Sequence, residues 1–279
     1  HGGRLLAEIA NQQAQATIAV HGGQVMTFQP KKQEPVLWIS QFGYLNSTAS
    51  IRGGIPICWP WFGPHPHDTQ QPRHGFARTS PWRVLETQIV DGDATQLVLE
   101  LEKTPETHAL WPHSAQLQLI VTVGAQLTVT LITRNTGQDT ITLTEALHSY
   151  FLVSDVTTQV KIHGLEGTHY IDKVDRDQRK VQQGAVTISG ETDRVYLDTQ
   201  AECVIEDARL QRRLRIAKAG SASTVVWNPG GEKAKQMGDL GSIGYLSMVC
   251  VETANAADNP VTLKPSDEHS LTALISVEK

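Results

Sequence analysis

Hydrophobic and polar positions alternate along most of this chain, in runs too short for helices and too regular for loops. Leu117, Leu119, Val121 and Val123 alternate with mostly polar neighbours, Gly124-Ala125 interrupts, and Leu127, Val129 and Leu131 resume the period of two. The pattern predicts a hairpin whose strands each bury one face. Similar runs cover 16–20, 84–89, 96–102, 139–151, 158–163, 185–188, 194–197, 201–205, 212–217, 223–227, 244–253 and 270–277. Gly, Asn, Asp and Thr separate them, so the spacing predicts an all-β fold, an antiparallel sandwich or barrel. Only 234–240 and 106–111 read as helical turns. No strand-then-helix alternation runs through the chain, which disfavours a doubly wound fold. Nor does any repeat, low-complexity tract or linker divide it, so one domain over 1–279 is the simplest reading.

Composition narrows the classes. With 279 residues the chain is long enough to bury a sizeable core. Its formal net charge of −5 comes without a basic tail or stripe, which argues against a nucleic-acid partner. No apolar run approaches the roughly 18 residues that span a membrane. The three cysteines, Cys58, Cys203 and Cys250, are odd in number and far apart. They form no disulfide framework and suit a reducing cytoplasm. The chain opens on His1-Gly2-Gly3 without a Met, which reads as a tag scar or a truncation, and no signal peptide is visible.

One stretch breaks the alternation. Arg52-Gly53-Gly54-Ile55-Pro56-Ile57-Cys58-Trp59-Pro60-Trp61-Phe62-Gly63-Pro64 is followed by His74-Gly75-Phe76-Ala77-Arg78. It is too rich in Gly and Pro for a helix and too aromatic for a disordered linker. It predicts an ordered loop that shapes a pocket. Arg52 and Arg78 bracket it. Either they tie the loop to carbonyls and carboxylates, or their N–H forks clamp a phosphate or carboxylate. His65, His67 and His74 raise a zinc reading, which is disfavoured because Pro64-His65-Pro66-His67 is a loop; no metal is expected.

Two further residues carry candidate acid–base chemistry. Read as one unbulged strand, 139–151 puts Ile141, Leu143, Leu147 and Phe151 on one face and His148 on the other, with Thr142, Thr144, Ala146 and Tyr150. His148 is either a surface histidine or a proton donor lining a concave sheet. In 244–253, Glu252 shares a face with Leu246, Met248 and Cys250, while Val249 and Val251 face the other way. Both faces are apolar, so the strand is central, and Glu252 either emerges at its end or is a partly desolvated base. Asp193, at a strand entrance, is a turn former or an acceptor for sugar hydroxyls. Trp227 fills the core or stacks on a ligand.

Together these runs resemble the hexose-6-phosphate mutarotases (glucose-6-phosphate 1-epimerases) of the aldose 1-epimerase superfamily. The resemblance rests on 52–63, 74–78, Ala146-Leu147-His148-Ser149-Tyr150-Phe151, Thr192-Asp193-Arg194-Val195-Tyr196, Trp227-Asn228-Pro229 and Val251-Glu252-Thr253-Ala254. It implies a large galactose-mutarotase-like antiparallel β-sandwich that binds sugar on the concave face of a sheet. It also implies an isomerase without a cofactor, acting as a cytoplasmic monomer on a small hexose phosphate. By residue, it implies that His148 is the general acid and Glu252 the general base. Arg52 and Arg78 then stand at the phosphate, and His74 and Asp193 line the sugar site. Arg73 stands where some members carry a ligand-contacting Gln and adds a third charge or points away. The chemistry expected has His148 protonated and Glu252 ionised at the start, hence a bell-shaped pH profile. A neutral-sugar aldose 1-epimerase and a non-catalytic carbohydrate-binding domain are the alternatives, with a metal-dependent cupin-like enzyme a distant third.

Overall fold

The hairpin predicted around Gly124 is present: Ala115–Val123 and Leu127–Asn135 pair antiparallel, and every second residue along both is buried. In this computed structural model, which describes residues 4–42 and 50–278, they belong to an eight-stranded sheet. Its order is Val160–His163, Cys203–Asp207, Arg212–Ala219, Glu268–Glu278, Leu127–Asn135, Ala115–Val123, Ala94–Leu101 and Trp82–Val90. A second eight-stranded sheet runs Gln178–Val181, His169–Asp172, Thr192–Tyr196, Ser223–Asn228, Met248–Asn255, Glu145–Leu147 and Ile57–Cys58, with Tyr150–Leu152 also paired to Met248–Asn255. His1-Gly2-Gly3, read above as a scar or truncation, lies outside the described residues.

The two sheets pack face to face as a sandwich. Leu131, Leu214 and Ile275 of the first meet Phe151, Val226, Val249 and Val251 of the second in one buried core. Each such side chain contributes about 1.5–3 kcal/mol by leaving water. Leu6–Ala10, Ala14–Ala19 and Gln24–Pro30 add a three-stranded sheet. Cys58, Cys203 and Cys250 are all buried free thiols. Among the described residues, no helix is long and apolar enough to cross a membrane.

Several sequence expectations shift. The run 139–151 is three short strands, Ile141–Leu143, Glu145–Leu147 and Tyr150–Leu152, and the first leaves the large sheet to pair with Val261–Leu263. The run 244–253 becomes a strand only at Met248, because Gly244–Ser247 is a 3-10 turn. The run 185–188 makes only an isolated bridge from Val186 to Ile162. The helical turn predicted over 106–111 is Pro105–Leu110, with Thr104 as a reciprocal N-cap and Pro105 in the first turn. The turn predicted over 234–240 begins earlier, as Gly230–Ala234.

A buried polar group ties the sheets together away from the concave face. Glu145, fully buried, accepts from Asn255 Nδ2 at 3.2 Å and pairs with His269 Nε2 at 3.0 Å. The hydrogen bond to Glu145 raises the His269 pKa above its ordinary value. A raised folded-state value means that this stabilisation is complete below the unfolded value of about 6.5 and is lost as pH rises through the folded value. His269→Ala is therefore expected to cost about 1.5–3 kcal/mol in mildly acid buffer and clearly less in alkaline buffer. Urea unfolding at several pH values checks this, and a penalty that does not change with pH contradicts it.

Candidate active site

His148 and Glu252 are cross-strand neighbours. The register on one side pairs Glu145 with Asn255, Ala146 with Ala254 and Leu147 with Thr253. On the other side it pairs Tyr150 with Cys250 and Phe151 with Val249. Both ladders keep one register, which sets His148 opposite Glu252 across the gap. The backbone leaves the ladder at this point: His148 N–H donates to Pro56 O at 3.0 Å and Ser149 N–H to Leu147 O at 2.8 Å. The period of two holds on either side, so Leu147, Phe151, Val249 and Val251 enter the inter-sheet core while Ala146, Tyr150, Cys250 and Ala254 share the opposite face. His148 Nδ1 then lies 3.4 Å from Glu252 Oε1, with His148 8% exposed and Glu252 1%. His148 Nδ1 and the second carboxylate oxygen, Oε2, have no hydrogen-bond partner in the protein. Buried polar atoms without partners are uncommon, and at a pocket they are the atoms free to meet a substrate.

The aromatic loop is anchored by its own side chains. Trp59 Nε1 donates to Thr133 Oγ1 at 3.0 Å and Trp61 Nε1 to Pro72 O at 2.9 Å. Phe76 sits edge-on to both rings. At Gly75, a Cβ would lie 1.9 Å from Trp59 O, and φ is +71°, so only glycine lets the two arms of the loop touch. His74 itself takes φ 65°, a conformation costly for a residue with a side chain. Two bonds to Gly63 hold it there: His74 N–H donates to Gly63 O at 2.7 Å, and Gly63 N–H donates to His74 Nδ1 at 3.2 Å. Burial and the nearby Arg78, Arg73 and Arg52 push its pKa down to about 3, so it is neutral. With Nδ1 accepting, the proton sits on Nε2, which makes His74 a donor.

A cavity of ≈ 590 Å³ opens over this pair, and all seven residues singled out in the sequence line it: Arg52, Arg73, His74, Arg78, His148, Asp193 and Glu252. Both readings of the arginines hold in part. Arg52 donates from Nε to Asp239 Oδ2 at 2.9 Å and from Nη1 to the Tyr150 hydroxyl at 3.1 Å, and its Nη2 lies 2.8 Å from the same Oδ2. These contacts engage three of its five N–H groups and leave two. Arg78 Nη2 donates to Arg73 O at 2.8 Å, which ties the loop, and Arg78 also lines the cavity.

Other contributors were not singled out. Tyr150 stacks on His148 at 4.8 Å and 10°, and its place two residues from His148 on the same face was a usable signal. Trp227, left open between core and ligand, lines the cavity and stands edge-on to His148 at 6.0 Å. Lys173 and Lys233 also line it, from a strand end and a short helix whose local sequence carries no mark of a site. Asp239 entered no motif and is visible only through its contact with Arg52.

The electrostatics run against a charged resting pair. Burial, and then the neighbouring His74, Arg78 and Arg52, hold His148 well below the ordinary histidine value. Burial and Asp193 hold Glu252 well above the ordinary carboxylate value, with Arg78 opposing. Burial likewise raises Asp193. Both shifts favour the neutral groups over the protonated His148 and ionised Glu252 expected from the sequence. The charged pair is the tautomer of that neutral pair.

The three loop histidines do not converge as metal ligands. His65 Nδ1 accepts from the N–H groups of His67 and Asp68, while His74 Nδ1 is committed to Gly63. Among the described residues, the one His/Cys/Asp/Glu cluster is His148, Cys250 and Glu252, whose ligand atoms lie within 4.8 Å of one another. The neighbouring Arg52 and Arg78 oppose a cation there, and burial and Glu252 keep the Cys250 thiol protonated. The donor set suits proton transfer better than metal binding.

Comparisons with known proteins agree with this picture. The family model described as Aldose 1-epimerase matches residues 6–276. An Escherichia coli (strain K12) protein named "Putative glucose-6-phosphate 1-epimerase" is 37% identical over 267 residues, 95% of this chain and 87% of its own. The Salmonella typhimurium protein of the same name is 38% identical over 266 residues, 94% and 87% of the two chains. A crystal structure titled as a "putative mutarotase" from Salmonella typhimurium superposes with a TM-score of 0.91 at 36% identity, covering 98% of this chain and 90% of that one.

Proposed function

Because the chain belongs to the aldose 1-epimerase family, we propose that its pocket interconverts the α and β anomers of a hexose 6-phosphate, with glucose 6-phosphate the first candidate. The observation that carries the reading is the facing pair His148 and Glu252 beneath a rim with Arg52, Arg73 and Arg78. A cavity of ≈ 590 Å³ suits a phosphosugar. The names of the relatives support the same substrate class.

The reaction exchanges two protons and leaves the oxidation state unchanged. Ionised Glu252 removes the proton from the C1 hydroxyl as protonated His148 donates one to the ring oxygen. The C1–O5 bond opens, C1 becomes an aldehyde, and rotation about C1–C2 presents its other face. Reversal of both transfers closes the other anomer. After ring opening, the proton stands on Glu252 and His148 is neutral, which is the distribution the site favours. The buried pair is thus biased toward the open-chain stage, the high-energy part of the path. Trp227 offers an apolar ring to the sugar, and His74 Nε2–H and Asp193 offer a donor and an acceptor to its hydroxyls.

Arg52 and Arg78 are the phosphate contacts. They also favour this reading over a neutral-sugar epimerase: Arg52 is already paired with Asp239, but a neutral ligand would bring Arg78 no counter-charge. Action as a monomer is proposed from the family resemblance alone, and the three buried, unpaired cysteines suit a reducing compartment.

The test is polarimetry of freshly dissolved α-glucose 6-phosphate, which is expected to relax faster with the protein than without it. The pH profile follows from the pair. Its active form carries one proton, so a second proton or loss of the last one abolishes activity. His148 is held low, so the acid limb falls below about pH 6.5; Glu252 is held high, so the alkaline limb lies far above the usual carboxylate range. The expected profile is bell-shaped, its acid limb displaced below the ordinary histidine value and its alkaline limb above the ordinary carboxylate value. An acid limb at or above the ordinary histidine value contradicts this assignment.

A further inference from the structure

The function proposed above uses the phosphate as a handle, but the layout of the site gives it a second task. We propose that the dianion seated at Arg78 and Arg52 is an activator of His148, so that a free dianion of the same shape accelerates anomer exchange of the unphosphorylated sugar. The inference rests on the hexose 6-phosphate reading and adds to it.

The contacts make the cationic rim and the imidazole one unit. Arg52 Nη1 donates to the Tyr150 hydroxyl at 3.1 Å, and the Tyr150 ring lies flat on His148 at 4.8 Å. His74 meets His148 edge-on at 5.8 Å from the loop that also carries Arg78. The elements packed on His148 bring Arg52 and Tyr150, Arg73, His74 and Arg78, Cys58, and Glu252 with Cys250, while Asp193 lies farther along the sheet. Asp239 on Arg52 offsets part of this charge, but the arginines still oppose a proton arriving on the buried imidazole.

A dianion on the guanidinium groups cancels that repulsion. The effect bears on the imidazole first, because the Tyr150 ring that accepts from Arg52 Nη1 lies flat on it and the His74 ring, from the loop that carries Arg78, meets it edge-on. That favours the tautomer with the proton on His148, whose Nδ1 lies 3.4 Å from Glu252 Oε1. Nothing is gained from or lost to solvent. The carboxylate becomes the base, and the imidazolium keeps its second N–H for the ring oxygen. A sugar without phosphate meets the same side chains with that repulsion uncancelled.

The experiment follows α/β exchange of free glucose by exchange NMR with the intact protein, across a titration of sodium phosphite in mildly alkaline buffer. Enzyme-free samples at each concentration subtract catalysis by the buffer itself. The expected result is a saturable rise of about tenfold or more in the protein-dependent rate. Sodium chloride at equal ionic strength is expected to produce no rise, and Arg78→Ala is expected to lose the phosphite response. The same phosphite is expected to compete with glucose 6-phosphate. Competition without any acceleration of glucose overturns the inference and leaves the phosphate as a handle. Acceleration that persists unchanged in Arg78→Ala overturns it as well, since the dianion then acts elsewhere. Failure to accelerate glucose 6-phosphate exchange at all is a different result and removes the functional reading itself.

Discussion

Glu252→Gln is expected to lower kcat for glucose 6-phosphate anomer exchange by about 10²–10⁴-fold while the protein folds as well as the parent. The amide keeps the size of the carboxyl group but can neither accept the C1 hydroxyl proton nor pass one to His148. Stability is expected to hold, because burial already disfavours ionised Glu252, and a neutral amide at a site 1% exposed carries no charge to desolvate. His148→Ala removes the other half of the relay and is expected to lose a similar factor. Losses that reach the same floor in the single and double variants would mark the two as one unit, since groups that act together are far from additive. Polarimetric rates beside thermal melts check this. A folded Glu252→Gln protein that keeps the parent rate contradicts the assignment.

Arg78→Ala carries the second large effect. Removing one arginine from a desolvated phosphate pair costs about 2–5 kcal/mol, part of it the stranded charge, which is roughly 30-fold to several thousand-fold in kcat/KM. No comparable loss is expected with free glucose, because that sugar brings no anion to Arg78. Arg78 is a cleaner probe than Arg52. Substitution of Arg52 also releases Asp239 and the Tyr150 hydroxyl, and so disturbs the ring that stacks on His148. Kinetics with both sugars on one preparation test this, and equal losses on the two argue against a phosphate contact.

The strands and their faces were legible because one face of each is buried. Ala115–Val123 and Leu127–Asn135 show the alternation residue by residue. The same rule placed His148 with Ala146 and Tyr150 and set Glu252 against Val249 and Val251. What it could not give was the pairing. His148 meets Glu252 through the register of two strands about a hundred residues apart, and a period of two says nothing about which strand lies next door. The turn Gly244–Ser247 was missed for a related reason: Tyr245, Leu246, Met248 and Val249 form a near-continuous apolar run, in which alternation carries no signal.

The site residues divide in the same way. The seven named from motifs converge on one cavity, whereas Lys173, Lys233 and Asp239 come from loops and a short helix of ordinary composition, and only the fold brings them in. The resting protonation of the pair was likewise hidden. Residue type alone suggests a charged His–Glu couple, but burial works against both charges and the nearby arginines work against the imidazolium. Burial is set by the packing around the strands, which no local run of sequence records.

The most direct test is exchange NMR of α and β glucose 6-phosphate with free glucose in the same tube. Faster exchange of the phosphosugar, with glucose left near its uncatalysed rate, is the predicted result. Acceleration of glucose but not of its phosphate, or of neither in well-folded protein, would contradict it.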